Sequence, residues 1–402
     1  MNQFVAVGIA LVVLVGLAWM LYRPRVQQSE KYQAMVVPLS NIMDVGFIIM
    51  APAIVLLAGY AAPLVMLGIC LAAIATGFAI AYNIRHFEPI EGTDDRVNVV
   101  GHAARWALTF ASVINIAYYT LVLVTLLLWP LDLYSERNLA IVGTVILGGL
   151  IVVGFAGGMD RLNALANRTT AFNLSAVVAI VVAFGVYNIQ EALGGREIFP
   201  PVDTVIDTEA FRQIIGLFAI VQGFEAARYI GGRFAGELRI STMRVAQVIS
   251  SVVFVALVAF VLILFVQVET DFSAKSIFIV ADEVGDAMPW LILLAALGSQ
   301  TSAIIGATMS RSDMLVSHQV LKRSISRRAT FVILLVPAIA LFLLADVPLA
   351  VALASRVFAV YFVLQAAIAW ILARRKANWG AVAGFTGIGA IMATIAIFGL
   401  PL

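Results

Sequence analysis

The sequence predicts an all-α polytopic membrane protein of about twelve crossings, ten of them forming two inverted five-helix repeats. Three observations carry that expectation. Apolar runs of about 20 residues recur along the whole chain. Lysine and arginine gather on alternate connections. Two apolar segments half a chain apart, Ser40 to Pro52 (SNIMDVGFIIMAP) and Ile220 to Arg233 (IVQGFEAARYIGGR), are each interrupted by glycine beside an acid.

Composition sets the class first. Hydrophobic residues make up 62% and charged residues 12% of the 402, and the mean hydropathy of +1.03 lies far outside the soluble range. The apolar runs place spans at 3–22, 40–59, 61–83, 103–130, 138–156, 171–189, 211–230, 245–267, 289–310, 329–345, 348–372 and 380–400. The first span lacks a basic leader and a small-residue cleavage site and is followed by Arg23, Arg25 and Lys31. It therefore reads as a retained anchor, not a signal peptide.

Orientation follows from charge. Of the 25 Lys and Arg residues, all but five fall on one side of these spans, including the clusters Lys322 to Arg328 and Arg374 to Lys376. The exceptions are Arg137, Arg196, Arg212 and Lys275 on the other side and Arg356 inside a span. Such a bias marks the crowded side as cytoplasmic, so the protein is expected to be a multi-pass inner (plasma) membrane protein with both termini extracytoplasmic. All six tryptophans lie near span ends, as interfacial anchors do. The net charge of +2 then reports topology and not a nucleic-acid partner. The single cysteine, Cys70, has no disulfide partner, and the histidines 86, 102 and 318 are scattered, so neither redox nor zinc chemistry is expected.

The expected organisation is a leading helix (1–22), a cytoplasmic linker (23–39), a ten-helix core (40–372, with repeats 40–189 and 211–372) and an added C-terminal helix (380–400). An odd number of helices per repeat makes the second copy enter from the opposite face. The first and sixth core helices both carry Gly-Phe beside an acid, at Gly46-Phe47 and Gly223-Phe224. Broken helices at matching positions of inverted repeats point to a midplane binding site. An unwound turn frees backbone amides and carbonyls to replace the hydration shell of an ion or solute, and a carboxylate there is expensive enough to be functional by default. Asp44, Gly46, Gln222, Gly223 and Glu225 are thus candidate substrate-binding residues. The bland alternative is a tolerated kink.

At these residues a family resemblance appears. Gln222 followed by Arg228, Tyr229 and Arg233 resembles the core-helix-6 pattern of the solute:sodium symporters. Asp44 with Gly-Phe-Ile-Ile-Met-Ala-Pro-Ala resembles the helix-1 segment of their proline/sodium branch, with one residue fewer before the glycine. Ser302 to Asp313 (SAIIGATMSRSD) is similar to that family's core-helix-8 signature. The chain departs in its shorter length and in reading Gln222-Gly223-Phe224 where the family has Gln-Pro-His. Asn41-Ile-Met, Gly223-Phe-Glu225 and Asn115-Ile-Ala resemble the amino acid/polyamine permeases equally well. Both families imply the same LeuT-like inverted-repeat fold.

The symporter resemblance implies a sodium site between core helices 1 and 8, built from Ser299, Thr301 and Ser302 with carbonyls near Ser40 and Met43. Counting back from Asp313 without gaps moves the expected ligand pair to Gly298-Ser299. Proton coupling through Glu225 is the competing mechanism, and a local Glu225–Arg228 ion pair three residues apart is the simpler reading of that acid. Arg356 lies about 12 Å inside core helix 10 at 1.5 Å per residue and needs a partner. Glu225, Asp44, Asp346 or a substrate carboxylate would serve, so Arg228 and Arg356 are expected to be gate or charge-compensating residues. Asn115 and Tyr119, one turn apart in core helix 3, share a face toward the cavity or toward a neighbouring helix. Ser273 to Asp286 reads as a short external amphipathic helix.

The expected function is secondary active transport by alternating access, with sodium-coupled symport of a small polar organic solute. Asp44 in the break favours an amine, a zwitterion's ammonium or a cation. A proton-coupled permease or exchanger and a non-transporting solute sensor are the alternatives. A channel fits less well, and no nucleophile, base and orienting group converge as in an enzyme. The implied partners are a small solute and the lipid bilayer, with sodium or a proton as coupling ion and no other cofactor. Nothing in the sequence sets an oligomeric state.

Overall fold

The computed structural model describes residues 2–44, 46–93, 95–195, 206–265, 276–317 and 325–402. Arg196, Lys275, His318 and Lys322, and the first residues of the 273–286 segment, lie outside the described residues.

The described chain is all-helical. In order, its helices are α1 (Asn2–Leu21), α2 (Pro24–Gln27), α3 (Glu30–Ile42), α4 (Gly46–Ala58), α5 (Ala62–His86), α6 (Val97–Leu128), α7 (Glu136–Phe155) and α8 (Met159–Leu193). They continue with α9 (Thr208–Gly216), α10 (Gly236–Phe265), α11 (Ser276–Val284), α12 (Met288–Ser317), α13 (Arg327–Leu344), α14 (Val347–Arg375) and α15 (Trp379–Phe398). Short 3-10 turns cover Gly59–Ala61, Phe218–Val221 and Phe224–Ile230.

Ten continuous helices among the described residues are long and apolar enough to cross a membrane. The two further spans expected from the sequence are accounted for locally. Spans 40–59 and 61–83 join into one apolar stretch, Gly46–His86, interrupted by a 3-10 turn at Gly59, whose φ of 50° glycine adopts without steric cost. Span 211–230 does not count as a long helix because it is α-helical only as far as Gly216 and 3-10 thereafter.

The core is two inverted five-helix repeats. α3 and α4 together form core helix 1, followed by α5 to α8. α9 with its two 3-10 turns forms core helix 6, followed by α10, α12, α13 and α14. Core helix 1 starts earlier than its apolar run. Its first half, α3, is amphipathic because one face (Gln33, Val36, Val37, Ser40, Asn41) lines a cavity, which is why hydropathy assigned part of it to a linker.

α12 packs between α6 and α8, α10 covers α3, α4 and α5, and α1 and α15 lie outside the core against α8 and α14. α11, at the end opposite the basic connections, packs on α4 and α12 through Ile277, Phe278, Val280 and Ala281, all buried. Core helix 6 is held to α14 by Phe224 stacked on Phe362, centroids 5.2 Å apart, and by Ser355, whose hydroxyl accepts from the Ala219 amide at 2.7 Å.

Candidate functional site

The two breaks meet. Helix α3 stops at Ile42 and α4 resumes at Gly46. Asp44 is 8% exposed, and its Oδ1 accepts the Gly46 N–H at 2.6 Å, satisfying one of the amides that a new helix start leaves free. In core helix 6, Gly223 adopts φ 118°, a conformation open to glycine. Glu225 Oε2 folds back to accept the Gly223 N–H at 2.8 Å. Each acid therefore caps the break beside it. A Cβ on Gly223 would lie 2.7 Å from the carbonyl of Asn41 in α3, so the two interrupted helices touch backbone to backbone.

A cavity of about 1070 Å³ ends at this junction. Met43, Asn115, Tyr119, Gln222, Gly223, Glu225 and Ser299 line its deep end, and Gln27, Arg168, Arg233 and Asp313 line its mouth among the basic connections. No lining residue comes from α4, α9 or α11. The lining thus runs from the break toward the basic end, and Phe47 to Ile54 of α4, on the other side of the break, are buried in the core.

The structure brings most candidate residues together. Ser40, Met43, Asn115, Tyr119, Gln222, Gly223, Glu225, Ser299 and Ser302 all line this one cavity. Asn115 Nδ2 donates to the Tyr119 hydroxyl at 3.2 Å, the one-turn pairing that their spacing implies. Tyr119 stands between Asp44 and Gln222, and a Cβ on Gly46 would meet the Tyr118 hydroxyl. Asp44 and Gly46 lie just behind the cavity wall.

The proposed sodium ligands divide. Ser299 is buried on the cavity wall. Ser302 Oγ donates to the Ala166 carbonyl at 3.1 Å and lies 3.2 Å from Thr169 Oγ1, which ties it to α8. Ser40 Oγ donates to the Val37 carbonyl at 3.2 Å. Thr301 is exposed and does not line the cavity. The helical register that turns Ser299 and Ser302 inward turns Thr301 away.

The two gate candidates go elsewhere. Arg228 does not form the local pair with Glu225. Its Nη1 donates to Gln365 Oε1 at 2.7 Å and its Nη2 to Glu91 Oε1 at 3.1 Å. The same Glu91 carboxylate takes Arg105. Glu225 is drawn back to the break by the free Gly223 amide, whereas the longer Arg228 reaches a carboxylate on the α5–α6 connection. Arg356 pairs with none of Glu225, Asp44 and Asp346, and instead its Nε donates to the Gly399 carbonyl at 2.6 Å. A backbone carbonyl beyond α15 satisfies it, outside the cavity.

The buried cation that does line the cavity is Arg311 of α12, 7% exposed, whereas Arg168 and Arg233 on the same wall are exposed. It lies near enough to Glu225 to act on it electrostatically, with no ion pair between them. Sequence reading passed over it because it falls one residue past the apparent end of the span. The available signal was the row Ser299, Ala303, Ala307, whose spacing of four continues to Arg311 beyond that end. Asn41, Tyr229 and Gln300 were likewise missed. Asn41 and Tyr229 line the cavity, and the fully buried Gln300 approaches Asp44.

Comparison with known proteins agrees with this architecture. The model of a family described as APC superfamily transporter matches residues 24–399. An uncharacterized protein of Aquifex aeolicus (strain VF5) is 27% identical over 386 residues, covering 94% of this chain and 92% of its own length. Among solved structures, the substrate-bound outward-open state of a Na+-coupled sialic acid symporter, described as revealing a novel Na+ site, is similar in fold. The TM-score is 0.55 at 14% identity, over 99% of this chain and 95% of that one.

Proposed function

Because the chain belongs to the APC superfamily of transporters, we propose that it is a secondary active transporter that moves a small polar organic solute by alternating access, coupled to sodium. One observation carries this reading: two interrupted helices meet backbone to backbone beside a cavity of about 1070 Å³ that residues of both helices line. That is the arrangement in which freed backbone groups and a few side chains replace a solute's water at the midplane. With the basic end cytoplasmic and both termini extracytoplasmic, a cavity lined toward that end fits an inward-facing state. The transport unit spans 40–372, with the inner half of core helix 1 beginning at Glu30 and 380–400 as an added helix.

Sodium is supported by the kind of oxygens gathered near the break. A hard cation takes hydroxyl and carbonyl oxygens, and Ser299, Ser302 and the backbone at Ser40 and Met43 offer them on facing elements. Asp44 adds a negative charge behind them. Uptake into proteoliposomes, with and without an inward sodium gradient, tests the reading. Solute accumulation that follows sodium supports it, and accumulation indifferent to sodium removes the coupling.

A second reading is favoured by Glu225, a buried acid on the cavity wall without an ion-pair partner among the described residues. Proton-coupled permeation or exchange would run through it. In sodium-free medium this predicts solute-driven alkalinisation in the wild type and none in Glu225→Gln.

A further inference from the structure

Four arginines are buried among the described residues: Arg105, Arg228, Arg239 and Arg311. Three have carboxylate partners and stand outside the cavity. Arg105 and Arg228 share Glu91, and Arg239 grips Glu88 with two hydrogen bonds of 2.9 and 2.6 Å. Arg311 differs in both respects. It lines the cavity, and no carboxylate among the described residues pairs with it. Its Nε has no hydrogen-bond partner, its Nη1 reaches only the Met314 sulfur at 3.9 Å, and its guanidinium lies 5.4 Å from the Tyr229 ring centroid. The neighbouring Asp313 is engaged with Arg327 at 3.2 Å, and Glu225 is bound to the Gly223 amide.

A buried guanidinium without a counter-ion is costly, and its planar donor fork matches a carboxylate in two-point contact. Resting on the transporter reading above, we propose that Arg311 is a carboxylate-binding subsite of the cavity. The solute is then a zwitterion whose carboxylate engages Arg311 and whose cationic group faces Glu225. Arg311 and Glu225, opposite in sign and not in contact across one cavity, set the two poles of that solute. This narrows the preference for amines inferred from Asp44 alone, since a simple amine would leave Arg311 unpaired.

The test uses the purified full chain and matched probes: the proteinogenic amino acids and glycine betaine, each paired with its decarboxylated amine (tetramethylammonium for betaine). A ligand that binds only the folded protein raises its melting temperature. At least one carboxylate-bearing probe is expected to stabilise the wild type while its amine does not. Arg311→Gln is expected to weaken that probe by about 100-fold, the loss of one charge-assisted contact, and Arg311→Lys to recover part of it. An unchanged ligand-free melting temperature and elution profile of Arg311→Lys establish that the position tolerates substitution. Equal stabilisation by the amine, retention of the carboxylate preference in Arg311→Gln, or no stabilisation by any probe would overturn the proposal. Counterflow in proteoliposomes separates the two readings. Exchange of amines without regard to the carboxylate leaves the transporter standing and removes the subsite. A bound probe that is never exchanged removes the transporter and leaves the subsite.

Discussion

Gly223 lies against the backbone of Asn41 so closely that a Cβ on it would stand 2.7 Å from the Asn41 carbonyl oxygen. This contact joins the two interrupted helices at the end of the cavity and fixes where each break sits. Gly223→Ala must strain a φ of 118° and push the two backbones apart. Such overpacking costs about 1–3 kcal/mol, with about 1–2 kcal/mol more for the backbone conformation. The expected outcome is a lower melting temperature of the purified protein and loss of transport, measured together. Wild-type stability in Gly223→Ala would mean that the contact is not part of the resting structure.

Asp44 separates a structural role from a charge role. Its Oδ1 holds the Gly46 amide, and the amide oxygen of asparagine can do the same. Asp44→Asn is therefore expected to fold with nearly wild-type stability but to bind sodium, or a cationic group, about 100-fold more weakly, from roughly 3 kcal/mol of lost charge assistance. The dependence of melting temperature on sodium concentration measures it. An unchanged sodium response would remove Asp44 from the coupling site.

Glu91 is the shared counter-ion of Arg105 and Arg228, whose side chains are 8% and 3% exposed. Removing it leaves two buried cations. Glu91→Gln is expected to destabilise by about 3 kcal/mol, as broken buried pairs do. Glu237→Gln, which breaks the exposed pair with Arg85, is expected to leave the melting temperature unchanged within error. Equal effects of the two would contradict the burial argument.

Asp95 precedes α6 at the basic end and accepts hydrogen bonds from Arg375 at 2.6 and 2.9 Å. Those bonds, with the Val97 amide, hold its carboxyl down at about 2, against an ordinary 3.8. A carboxyl lowered in the folded state stabilises the fold fully above its unfolded value and loses that contribution as pH falls through the folded one. The wild type is therefore expected to lose its advantage over Asp95→Asn between about pH 4 and pH 2, and to lose part of it in high salt at neutral pH. Parallel melting curves down to pH 2 for the two proteins would show that the pair contributes nothing.

Much of the fold is legible in the sequence because a membrane imposes a strong and simple constraint. Each crossing needs about 20 apolar residues, and a break in one shows as glycine and acid in grease. The breaks at Asp44–Gly46 and at Gly223–Glu225 show in that way, and helical spacing alone puts Asn115 and Tyr119 on one face. The first half of core helix 1 escaped because its cavity-facing side carries Gln33, Ser40 and Asn41, and hydropathy cannot separate a cavity from an aqueous loop.

What the sequence could not decide was where long side chains end. Arg228 and Glu225 are three residues apart, yet one reaches Glu91 and the other turns back to Gly223. Arg356 finds a carbonyl beyond α15, and the buried arginine on the cavity wall is Arg311. Spacing along a helix determines which face a Cβ points from. The partner of an arginine several bonds further out depends on which distant elements pack there, so the breaks belong to the sequence and the charge pairing belongs to the tertiary structure.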